Sequence, residues 1–159
     1  MNYFGLKRDQ ACGLREEYRL KSLLDIREYI AESLFELAAY DNPNQDLAAL
    51  YNRLQAQYLG VDFHGQAVWT YNPFFGSGPL YLQNYVLAEM LARQVHHAMD
   101  ARFGAGWKGA AGEFLKCNPF SIGARYRLDE VLVHVTGEPL SSSYLIRSLL
   151  PGSADGACP

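Results

Sequence analysis

The side chains in this chain best suited to chemistry sit at the start of one long apolar segment. Tyr81, Asn84 and Tyr85 place two phenols and an amide in the first turns of residues 79–103, PLYLQNYVLAEMLARQVHHAMDARF. Polar tips among apolar neighbours are what a cleft would use, although most tyrosines so placed are core residues with satisfied hydroxyls. The histidines offer less. His96 and His97, with Asp100 one turn on, resemble a metal pair, but Glu89, Arg93, His96 and Asp100 line up as the solvated face of the same helix. His64 and His134 stand alone and read as surface or hydrogen-bonded core residues. The Gly76-Ser77-Gly78 turn lacks the lysine and the glycine spacing of a phosphate loop and reads as a hinge.

The elements that must position these groups are helical. Pro79 suits the first position of a helix, and Gly104 suits the left-handed residue that closes one. The helix so defined would be about 36 Å long. Leu80, Leu87 and Leu91 mark one apolar line on it; Tyr81, Tyr85, Ala88, Ala92, Val95 and Met99 mark a second, so neighbours are expected on two sides. Over residues 14–40, Leu20, Leu23, Ile26, Ile30, Leu34 and Leu37 recur every three or four positions and predict another helix. Asp41-Asn42-Pro43-Asn44 ends it and caps the next, residues 45–59, which stops at Gly60. Residues 60–78 carry Phe63, Trp69, Tyr71, Phe74 and Phe75 and are too aromatic for a free linker. Shorter helices follow near 107–117, 127–135 and 141–150, the last capped by Ser141, Ser142 or Ser143. The expectation is an all-α bundle of about five to six helices, one domain over residues 1–150 with a disordered tail over 151–159.

Composition excludes several classes of function. A chain of 159 residues with net charge −3 has no basic footprint for nucleic acid or an anionic membrane. No apolar run reaches the ~18 residues of a spanning helix, and MNYFGLKRDQ lacks a signal-peptide core, so a cytoplasmic location is expected. Cys12, Cys117 and Cys158 are odd in number and far apart, which fits neither a disulfide framework nor a zinc knuckle and predicts reduced thiols.

Trp69, Asn72-Pro73-Phe74-Phe75 and the run from Pro79 to Glu89 resemble the C-terminal part of the catalytic domain of helical zinc peptidases, the oligoendopeptidase F and thimet oligopeptidase group related to angiotensin-converting-enzyme-like carboxypeptidases. Phe103-Gly104, Trp107, Thr136-Gly137-Glu138-Pro139-Leu140 and Ser143-Tyr144 resemble the tail of that zincin-type domain, while Arg27 to Tyr40 and the helix ending at Tyr58-Leu59-Gly60 fit upstream. The resemblance spans roughly residues 14–150. It implies that Tyr81 is the oxyanion stabiliser and that Asn84, Tyr85 and Phe74 border the substrate. In such enzymes an H-E-x-x-H helix holds zinc and supplies the base. None of the four histidines here stands in that motif, no two are spaced i, i+4, and Phe74 stands where a polarising His is usual. The chain therefore offers no metal ligands and no cofactor of its own, zinc being expected only in full-length relatives.

Two functions follow as expectations. The chain is the cleft-bearing half of a truncated or split metallo-oligopeptidase-like protein, inactive alone; or it is a non-catalytic helical module that binds peptides or partner proteins. Either way a homodimer, or a partner chain supplying the missing half, is expected to cover Tyr81, Tyr85, Ala88, Ala92 and Phe75, with a peptide as ligand and neither nucleic acid nor membrane as partner.

Overall fold

The computed structural model describes residue 5 and residues 7–104 and 107–150, without the side chains at 77, 107, 108 and 124. The tail expected over 151–159, with Cys158, lies outside the described residues, as does the Trp107 side chain. Among the described residues the chain is all-helical: α1 Arg8–Asp41, α2 Leu47–Leu59, α3 Phe74–Ser77, α4 Gln83–Phe103, α5 Trp107–Leu115, α6 Leu128–Thr136 and α7 Ser143–Leu149. Among the described residues, those up to Leu87 form one compact unit and those from 88 to 150 another.

In the first unit α1 runs for 34 residues and packs along α2. Asn42 ends α1, and Asp46 caps α2 by accepting the Ala49 N–H at 2.9 Å. Gly60 closes α2 at φ 71, the left-handed conformation that costs glycine least. Phe35, Leu50, Tyr51 and Leu54 form the core, and the connection after α2 folds back onto it through Phe63, Val68, Trp69 and Phe75. Rings interlock there: Phe35 meets Tyr51 edge-on at 5.1 Å and Phe75 at 5.1 Å. The connection is therefore a packed part of the core, as its aromatic content predicts. Asn52 pins its start, donating to Asp62 at 2.9 Å and accepting the Phe63 N–H at 2.6 Å.

The face that α1 buries matches the line that predicts the helix only in part: Ile26 is buried and Leu23 and Ile30 are half-buried. Leu20 (48% exposed), Leu34 and Leu37 lie open to solvent, while Ala31, Phe35 and the acids Glu32 and Glu36 are buried. A second departure lies at α4, which begins at Gln83 rather than Pro79. Leu80 takes φ 57, a left-handed value that a side-chain-bearing residue adopts only under constraint and that a right-handed helix excludes. Pro79 and Leu80 therefore form a turn, and the chain enters the helix four residues later than proline placement predicts.

In the second unit the most deeply buried large polar side chain is Gln94, in the middle of α4. Its amide nitrogen donates to Thr136 Oγ1 at 3.1 Å and the Pro139 carbonyl at 3.0 Å, and its oxygen accepts the Ser141 N–H at 2.9 Å. One side chain thus satisfies the turn from α6 into α7, where the chain has left helical geometry and its backbone groups need partners. Gly137 closes α6 at φ 85, and Ser141 Oγ accepts the Ser143 N–H at the head of α7. Cys117 is a free, exposed thiol, but Cys12 is disulfide-bonded, against the reduced state expected. Sequence separation hides such pairing because only the fold decides which Cα atoms come within bonding reach.

Candidate functional site

Two buried carboxyls on α1 organise the segment that carries the candidate residues. Glu32 and Glu36 lie one helical turn apart on one face. Glu32 Oε1 accepts from Asn72 Nδ2 at 2.9 Å, and the Tyr51 hydroxyl donates to the same carboxyl. Asn72 in turn accepts the Phe74 N–H at 3.0 Å, so the turn leading into α3 is tied to α1. Glu36 Oε2 accepts the Leu82 N–H at 3.2 Å, at the far end of the same segment. One pair of acids therefore holds residues 72 and 82, and with them everything between.

Burial pushes the Glu32 carboxyl up to about 7; the charge of Glu28 adds to the rise, while the bonds from Asn72 and Tyr51 oppose it. The Tyr51 hydroxyl is likewise raised, by burial first and then by the charges of Glu32 and Glu28. Neither residue was singled out in the sequence, because a glutamate inside a helical pattern reads by default as surface. The one available signal was register: Glu32 and Glu36, one turn apart, lie on either side of the core residue Phe35.

The segment so held brings three of the four candidate residues together. Phe74 stacks on Tyr81 with ring centroids 5.6 Å apart and meets Tyr85 edge-on at 5.7 Å. Tyr81 and Tyr85 lie at 5.8 Å, and Tyr29 of α1 stacks under Tyr85 at 5.0 Å. The Tyr85 hydroxyl is raised, first by desolvation and then by its neighbour Tyr81, to which it is hydrogen-bonded. The result is an aromatic ledge with Tyr81 42% exposed and Phe74 at its rim. Asn84 is exposed on the first turn of α4, outside these ring contacts. Phe75, expected as a contact for a partner, turns inward onto Phe35 and Tyr51 instead.

The ledge offers flat apolar faces and two phenolic hydroxyls, a surface for stacking and for hydrogen bonds to a peptide backbone. The histidines do not fit a zinc site. His96 Nδ1 pairs with Asp100 at 3.0 Å, the His97 ring packs on Tyr144 at 4.7 Å, and His64 is exposed beside Asp62 in the first unit. Among the described residues no three His, Cys, Asp or Glu side chains converge on a point that could hold a metal ion. No helix among them is long and apolar enough to cross a membrane. Compared with family models, curated proteins and solved structures, the chain returns no match.

Proposed function

We infer that this chain supplies the substrate-facing part of a helical metallo-oligopeptidase-like domain and, by itself, binds peptides without cleaving them. The observation that carries this reading is the convergence of Phe74, Tyr81 and Tyr85 on one ledge, anchored from below by Tyr29 and from both ends by Glu32 and Glu36. Those are the residues that the resemblance to oligoendopeptidases assigns to the cleft. The strained backbone at Leu80 supports it too: a φ of 57 directly before Tyr81 is a cost that packing must cover, as at sites where one side chain has to be aimed.

Catalysis would need a metal-bound water and a base. The sequence has no H-E-x-x-H, and Phe74 replaces an imidazole with a ring that can stack but cannot donate a proton. Tyr81 keeps its hydroxyl at the rim, positioned to hydrogen-bond a peptide carbonyl; beside a zinc site supplied by another segment or chain it would serve as the oxyanion donor. A second reading, a module for partner proteins or for a second copy of the chain, draws on the exposed Ala88, Ala92 and Tyr81 along α4 and the turn before it.

The test is fluorescence anisotropy with labelled, end-blocked heptapeptides rich in apolar residues, alongside mass spectrometry of the same mixtures. Binding that weakens about tenfold or more in Tyr81→Ala and Phe74→Ala, with every peptide intact after incubation, is the expected result. Binding indifferent to both substitutions would remove the ledge as the site, and cleavage would remove the non-catalytic reading.

A further inference from the structure

The segment that builds the aromatic ledge carries no formal charge. Residues 69–87, which supply Phe74, Tyr81 and Tyr85, contain no Asp, Glu, Lys or Arg. What the ledge offers is ring surface in two near-parallel pairs. Phe74 lies on Tyr81 with planes 11° apart and Tyr29 on Tyr85 with planes 23° apart, while Tyr81 and Tyr85 meet at 79°. It also offers a hydrogen. Tyr81 and Tyr85 share one hydrogen bond, which uses one hydroxyl hydrogen of the two and leaves the other for an acceptor outside the pair. A peptide laid on these rings takes part of its backbone out of water. Its carbonyls can accept from the free phenol hydrogen. An N–H pressed onto a ring face loses its water and gains no acceptor of comparable strength, which weakens binding.

We propose that the peptides this ledge takes are uncharged, proline-rich segments in the extended polyproline conformation. The proposal deepens the peptide-binding reading and rests on it. Proline has no backbone N–H, so it strands no donor against the rings, while its carbonyl still accepts from the Tyr81–Tyr85 pair. The polyproline helix makes no internal hydrogen bonds, so the carbonyls along it are open to a phenol. Its pyrrolidine rings are apolar and pack on aromatic faces, the mode by which aromatic-lined grooves take such segments. Phe74 and Tyr81, 36% and 42% exposed, present faces of that kind. Charge agrees: an Arg or Glu in the ligand would find no opposite charge anywhere in residues 69–87. The conformation is also preformed, so less chain entropy is lost on docking than for a flexible apolar peptide.

The probe is the labelled, end-blocked heptapeptide APPLPPA, compared with AAALAAA, in which each proline position has regained its N–H. Both are read by fluorescence anisotropy on the full chain. APPLPPA should bind at least about tenfold tighter than AAALAAA, the effect of sparing one stranded donor or more. Tyr81→Phe, which keeps the ring and removes one hydroxyl of the pair, should weaken APPLPPA about fivefold, and Tyr81→Ala more. Equal or reversed affinities, with both peptides weakened by Tyr81→Ala, would overturn the proline preference and leave the peptide-binding reading standing. Preferred binding of APPLPPA that Tyr81→Ala does not move would put the proline site off the ledge and overturn the proposal as well. If neither these peptides nor other apolar heptapeptides bind at millimolar concentration, both the proposal and the reading beneath it fall.

Discussion

Glu36 and Leu82 are joined across 46 positions of sequence by a single buried hydrogen bond, the Leu82 N–H donating to the carboxyl of α1. The bond explains how the strained turn at Leu80 persists. Leu82 precedes the first helical residue of α4, so its N–H has no partner within that helix, and the acid of α1 supplies one. With Glu32 holding Asn72, the aromatic ledge is fixed at both ends to one rigid helix.

Asn72→Ala should therefore act on both stability and binding. It removes the donor to Glu32 and the acceptor for the Phe74 N–H, leaving a buried carboxyl short of one partner. The expected loss is about 1–3 kcal/mol in urea unfolding, with faster amide exchange at 73–75. Unchanged stability would mean that water replaces Asn72 without cost and that the tie is incidental.

Glu32 makes the first unit sensitive to pH in a direction opposite to an ordinary salt-bridged acid. Its folded-state value, about 7, lies above the ordinary glutamate value of 4.5, so between these limits the folded chain holds more protons than the unfolded one. Stability must then fall as pH rises from about 4.5 to about 7, and level off above. The effect should be on the order of 3 kcal/mol. Glu32→Gln should flatten the curve across that window. A wild-type curve already flat there would show that Glu32 titrates as an ordinary surface acid.

Tyr81→Phe tests the ledge more gently. The ring remains to stack on Phe74, and the lost hydroxyl belongs to a half-exposed side chain whose bond to Tyr85 competes with water. Stability should change by less than ~1 kcal/mol while peptide affinity falls. A loss of ~2 kcal/mol or more would identify the hydroxyl as a structural group.

How much of this was legible in the sequence depends on which force set each feature. Helix periodicity and the Gly60 stop are local, so α2, α6 and the end of α1 emerge within about two residues of their observed bounds, whereas α1 starts six residues before the expected Leu14 and α2 is capped by Asp46 rather than by the run from Asp41 to Asn44. Capping logic failed at Pro79 because a long-range bond from Glu36 to Leu82 outweighed proline's preference for the first helical turn. The leucine line of α1 marked the helix but showed only part of its buried face, since Glu32 and Glu36 are stabilised there by partners 40 and 46 residues away. Among the site residues, the grouping of Phe74, Tyr81 and Tyr85 followed from their place in the sequence pattern. The acids beneath them did not, because no local rule distinguishes a buried glutamate from a solvated one.

Gln94 offers a sharp measurement in the second unit. Replacing it by Leu keeps the volume but strands the Ser141 N–H and the Pro139 carbonyl, while the Glu138 carbonyl keeps the Thr136 hydroxyl as its donor. A cost of about 2 kcal/mol or more is expected, with the loss centred on residues 136–143 in hydrogen exchange. A neutral substitution would show that water satisfies this turn.

The last prediction concerns association. Along α1, Leu20, Leu24, Leu34 and Leu37 are all more than a third exposed, as are Leu14, Tyr18 and Tyr40. Scattered exposed leucines are ordinary, but Leu34, Leu37 and Tyr40 follow one another at i, i+3 spacing along the last turns of this 34-residue helix, and Leu20 and Leu24 sit one turn apart further up. Contiguous apolar surface beyond several hundred Å² is uncommon on monomers, since keeping it wet forgoes about 25 cal/mol for each Å². The simplest way to cover it is a two-fold pairing of like surfaces, and the alternative is a partner chain. Sedimentation at micromolar concentration should therefore show a dimer, or recovery of a specific partner. The double substitution Leu34→Lys and Leu37→Lys should shift the chain to monomer without unfolding it, because both positions are exposed already. A wild-type chain that sediments as a monomer with no partner, at concentrations approaching a millimolar, would mean this face is tolerated in water. The expectation of a dimer would then have to rest on Tyr81, Ala88 and Ala92 alone.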